Sequence, residues 1–126
     1  MEIFANTVTQ YFAAICEGDV ETWVNLFAEN AVSHDPVGMP SYKGHEQLQK
    51  FFLGISKAFQ KVSFAEENVY ICGKDVAVKW NASGIGHNGV EVSFSGIDTF
   101  SMNDDGKIVE LKAYWDLKAT MAQLKG

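Results

Sequence analysis

The feature that most constrains this chain is a change of hydrophobic period near Lys61. Before it, apolar residues recur three or four apart; after it, they alternate. Phe4, Val8, Tyr11, Phe12 and Ile15 predict a first helix that Gly18 can end. Asp19 is placed to cap a second, short helix containing Trp23, Val24, Leu26 and Phe27. Residues 31–35, AVSHD, read as a short strand, followed by a loop with Pro36, Gly38, Pro40 and Gly44. Leu48, Phe51, Phe52, Ile55 and Phe59 form the stripe of a third helix, with Lys43, Lys50 and Lys57 as its solvated flank. Strands are expected at 61–72, 75–86, 90–102 and 107–116, separated by the turn signals GKD, NG and DDG. DLKATMAQL predicts a last short helix. Helices followed by a meandering antiparallel sheet give an α+β fold in one domain, residues 1–126. A curved sheet wrapped on three N-terminal helices would leave a cavity between the layers.

Charge narrows the function. The formal net charge is −6 and all ten basic residues are lysine. A nucleic-acid partner needs a clustered basic face. A phosphoryl-transfer site is disfavoured because no arginine can supply a bidentate fork. The first residues, MEIFANTVTQ, carry an acid and no Lys or Arg, unlike a signal peptide. No apolar run is long enough to span a bilayer. Cys16 and Cys72 lack motif spacing and read as reduced packing residues of a cytoplasmic protein.

Two short motifs carry nothing. GIGHNG at 84–89 fits the dinucleotide pattern, but the alternating VEVSFS follows where a helix is required. NAS at 81–83 fits a glycosylation acceptor, but it falls inside an expected strand. His34, His45 and His87 lie in separate contexts without paired spacing, so no metal site is expected.

The strand at 90–102 is more informative. Val92, Phe94, Gly96, Asp98, Phe100 and Met102 share one face by alternation, so Asp98 points to the core side. A carboxylate in apolar surroundings is costly to ionise, and a neutral acid can donate a hydrogen bond. A structural partner could equally satisfy it. Tyr11 poses the same choice: it lies on the first helix's apolar stripe, either as packing or with its hydroxyl aimed at a pocket. Trp115 shares a face with Val109, Leu111 and Ala113, as core or as pocket wall. Asp35 sits at a strand end beside a loop, where solvent can keep it ionised. Two carboxylates in unlike environments can divide into a base and an acid.

At these residues the chain resembles the ketosteroid isomerase branch of the nuclear transport factor 2-like superfamily, including its SnoaL-like relatives. The resemblance runs through residues 10–40, then YKGHEQLQKFF and GIDTFSMNDDGKIVELKAYWD. That family is itself a standard example of an aspartic acid kept neutral to donate a hydrogen bond. The resemblance implies Asp35, in DPVGMP, as general base, with Tyr11 and Asp98 as oxyanion donors. Trp115, Phe27, Phe52, Phe94 and Phe100 are the residues expected to wall the pocket. Phe27 and Phe52 stand where some isomerases have further tyrosines. The implied fold is a conical α+β barrel, without a cofactor and forming a homodimer. The implied activity is isomerisation of a small apolar carbonyl compound through a dienolate. A SnoaL-like polyketide cyclase and a non-catalytic small-ligand-binding module are the alternatives. The acid–arginine–acid arrangement of epoxide hydrolases is not expected in a chain without arginine.

Overall fold

The computed structural model describes residues 2–126. Helix α1 (Glu2–Glu17) buries Thr7, Val8, Tyr11, Phe12, Ala14 and Ile15 along one face. Gly18, with φ +70°, turns the chain, and the Asp19 side chain accepts the N–H of Thr22 to start α2 (Val20–Asn25). The expected second helix included Leu26 and Phe27, but Phe27 opens strand β1 (Phe27–His34). The reason is tertiary. Ile108 donates its N–H to the Leu26 carbonyl at 2.9 Å, which draws the chain onto the last strand before another turn can form.

Strand β2 (Tyr42–Lys43) leads into α3 (Gly44–Ala58), which buries Leu48 and Phe52. Phe59, expected at the end of α3, is instead the first residue of β3 (Phe59–Cys72) and pairs with Gly86. Strands β4 (Asp75–Gly86), β5 (Glu91–Met102) and β6 (Ile108–Trp115) follow within a residue or two of the predicted bounds. Asp116 caps α4 (Leu117–Lys125) by accepting the N–H of Ala119 at 2.9 Å.

The six strands form one curved sheet in the order β2-β1-β6-β5-β4-β3. It is mixed rather than wholly antiparallel, because β1 runs parallel to β6. A fourth helix, α4, also packs on the sheet, so the helical layer is not confined to the N-terminal three. The alternation expected in β5 is observed: Val92, Asp98, Phe100 and Met102 are buried, while Ser93, Ser95 and Ile97 are exposed. Cys16 and Cys72 are both exposed and unbridged, which corrects their reading as packing residues. Among the described residues, no helix is long and apolar enough to cross a membrane.

Candidate active site

Three elements deliver the acidic groups to one place. Asp98 on β5 stands in register with Ala113 on β6 and Val78 on β4. Asp35 follows the end of β1, whose His34 pairs with Lys112 of β6. Val37 then donates its N–H to the Ala113 carbonyl at 2.9 Å, fastening the loop after β1 to the same point of β6. Strand β6 thus lies between the two acids. Tyr11 reaches them from α1. All three residues line a cavity of about 490 Å³ between the sheet and α1, α3 and α4. That volume suits a small organic ligand.

Each aspartate is held by an indole. Trp115 donates its Nε1–H to Asp35 Oδ1 at 2.6 Å, and Trp80 donates to Asp98 Oδ1 at 2.9 Å. Burial raises the Asp35 carboxyl from its ordinary range to about 6, against the opposing effect of the Trp115 hydrogen bond. Asp35 is therefore more desolvated than its place beside a loop suggests, although part of its surface stays open. Asp98 is pushed well above the ordinary range, first by burial and then by the negative charge of Asp35; Trp80 acts the other way. The Tyr11 phenol is raised too, by burial and then by Asp98 and Asp35. Burial thus pushes both carboxyls toward their neutral forms, and Asp98 carries the added push of the Asp35 charge.

Aromatic packing fixes Tyr11. Its ring meets Phe100 edge-on at 5.1 Å and Phe12 at 5.0 Å, with Trp23 and Phe27 within 6.2 Å. Of the aromatic residues expected as pocket walls, Trp115 and Phe94 line the cavity. Phe27, Phe52 and Phe100 do not; they form a buried layer behind it, with Phe52 packed on Trp23 at 5.2 Å. They shape the wall without touching its contents. The sequence reading missed Trp80, although strand alternation places it on the same face as Val76, Val78 and Ala82. The three histidines are dispersed: His34 faces Glu110, His45 contacts the Phe27 carbonyl and His87 the Ser56 carbonyl.

With this geometry in hand, the sequence profile of the SnoaL-like domain matches residues 8–111. The chain belongs to the SnoaL-like domain family. Solved structures agree on the fold of this SnoaL-like chain. One, described as "epoxide hydrolase/cyclase-like enzyme SalBIII" with a role in pyran ring formation in the polyether salinomycin, is 28% identical with a TM-score of 0.82. The match covers 90% of this chain and 91% of that one. A polyketide-cyclase candidate from Xanthomonas campestris is 20% identical, with a TM-score of 0.87 over 98% of this chain and 97% of its own. A SnoaL-like polyketide-cyclase candidate from Jannaschia is 20% identical, with a TM-score of 0.85 over 99% and 93%. The last two likenesses concern the fold.

Proposed function

We propose that this SnoaL-like chain is a cofactor-independent acid–base enzyme that moves a proton α to the carbonyl of a small apolar ketone. The observation that carries this reading is the pair of aspartates lining one apolar cavity, with the Asp35 carboxyl raised to about 6 and Asp98 pushed well above the ordinary range by burial and by the Asp35 charge. Asp35 removes the α proton. The electron pair moves onto the carbonyl oxygen, where the hydroxyl of Tyr11 and the neutral Asp98 donate hydrogen bonds. Asp35 then returns the proton at the γ carbon, and the double bond moves into conjugation. The activity resembles that of steroid delta-isomerase.

A second reading has its own support. The 28% identity to a protein described as epoxide hydrolase/cyclase-like, with a role in pyran ring formation in a polyether, supports the ring-closing alternative, a SnoaL-like cyclase. The same Asp35 would then take the proton of the attacking group, and Asp98 would protonate or hydrogen-bond the accepting oxygen. Loss of both activities would leave a small-ligand-binding module.

The test is a panel of β,γ-unsaturated ketones with identification of each product. A conjugated enone supports the isomerase; a new ring supports the cyclase. In either case Asp35→Asn lowers turnover by at least about 10² to 10⁴ while the cavity still binds ligand. Conversion by Asp35→Asn as fast as by the wild type would contradict both.

A further inference from the structure

We propose that Trp80 is the positioning residue of Asp98: its indole N–H occupies Oδ1, so the acidic proton of Asp98 rides on Oδ2 and is presented to the cavity. The inference deepens the acid–base reading above and rests on it for its catalytic meaning. Its physical content is separate.

An indole nitrogen can only donate. The Asp98 oxygen that faces Trp80 must therefore accept, and in a neutral carboxyl the carbonyl oxygen is the stronger acceptor, so the indole favours the proton on the other oxygen. Trp80 is the one hydrogen-bond partner of the Asp98 carboxyl among the described residues. The remaining oxygen belongs to a side chain that lines the cavity, where a ligand oxygen can meet its O–H. Without the indole, the proton could sit on either oxygen and the carboxyl could turn.

The surrounding residues fix the indole in this role. Trp80 pairs with Gly96 across the β4–β5 ladder, two residues from Asp98. A Cβ at Gly96 would lie 2.7 Å from Cζ2 of Trp80, so glycine is what lets the indole cross over β5 toward the acid. Phe64 and Phe94 meet the indole edge-on at 5.0 and 5.7 Å. Trp80 is 2% exposed. This degree of confinement leaves its N–H a single direction.

The two indoles therefore do different work. Trp115 steadies Asp35, which acts as an anion, whereas Trp80 orients Asp98, which acts as an acid. The other charged or titratable groups facing Asp98 are Asp35 after β1 and Tyr11 on α1, with Lys50 of α3 in the cavity wall.

The experiment compares Trp80→Phe with replacement of Trp80 by β-(3-benzothienyl)alanine, which keeps the bicyclic shape and has sulfur in place of N–H. The readouts are the Asp98 midpoint by carboxyl ¹³C NMR and the affinity for 2-naphthol. A donor favours the ionised carboxylate, so its removal should move the Asp98 midpoint upward by about one pH unit. The affinity for 2-naphthol should fall about tenfold, and Trp115→Phe should not reproduce the Asp98 shift. The benzothienyl variant covers the case in which Trp80→Phe fails to fold. A folded benzothienyl variant with the wild-type Asp98 midpoint and wild-type 2-naphthol affinity would overturn the proposal. Neither readout uses turnover. A wild type inactive on every ketone would thus sink the isomerase reading and leave the Trp80 result to stand or fall by itself.

Discussion

At the scale of single residues, the proposed chemistry asks opposite things of two identical side chains. Asp35 must be ionised to take a proton, and Asp98 must be neutral to give a hydrogen bond. The kcat/KM profile should therefore rise through pH about 6 as Asp35 ionises. It should fall at higher pH as Asp98 loses its proton. Asp98→Ala and Tyr11→Phe should behave alike: both weaken 2-naphthol binding and lower turnover by about 10² to 10³, the usual loss for one oxyanion donor. Steady-state kinetics beside fluorescence titration would check this, and a Tyr11→Phe variant with undiminished turnover would remove the phenol from the mechanism. Alternation in β5 was enough to turn Asp98 inward, and the phase of α1 did the same for Tyr11. Asp35 came from the family resemblance, since a residue after a strand end has no face assigned by period. Trp80 was out of reach because its role depends on which strand pairs with β5 and in what register.

Secondary-structure elements position these side chains through a few close approaches. Gly96 is the tightest: a Cβ there would stand 2.5 Å from the Tyr114 carbonyl and 2.9 Å from Cβ of Trp115, as well as against Trp80. The nearest atom is backbone, which cannot swing aside. Gly96→Ala should cost roughly 1–3 kcal/mol of stability, as overpacking in a filled interior does. Ser95→Ala, on the exposed face, should stay within about 0.5 kcal/mol. Urea unfolding of the two variants would decide, and equal midpoints would mean that β5 and β6 can separate at little cost. Most elements were legible because their apolar periods are unmixed. The misplaced boundaries share one cause. Phe27 and Phe59 continue a helical stripe in the sequence, yet each opens a strand because β6 and β4 supply pairing partners that a local pattern cannot show.

Across the whole molecule, the site is maintained at the expense of stability. The Asp35 carboxyl moves from 3.8 to about 6 on folding, so the native state binds more protons than the unfolded chain between those values. Stability must then fall as pH rises through that window, with a full cost on the order of 2–3 kcal/mol above it. Asp35→Asn removes the effect. Its stability relative to the wild type should grow between pH 4 and pH 7, measured by denaturant unfolding at each pH; a difference independent of pH would show that Asp35 is not desolvated. Asp98 adds a contribution of the same sign at higher pH, while the exposed Asp19, Glu67 and Asp104, whose pKa values are lowered, act oppositely in both proteins and cancel in the comparison. The α+β class and the cavity between its layers followed from the change of period at Lys61. The parallel pairing of β1 with β6 did not, because strands far apart in sequence announce no direction. The division between the two acids is what the proposed chemistry needs most, and carboxyl ¹³C titration of the wild-type protein measures it directly. Asp35 should ionise near pH 6, and Asp98 should remain protonated to clearly higher pH. Equal midpoints, or Asp98 ionising first, would contradict it.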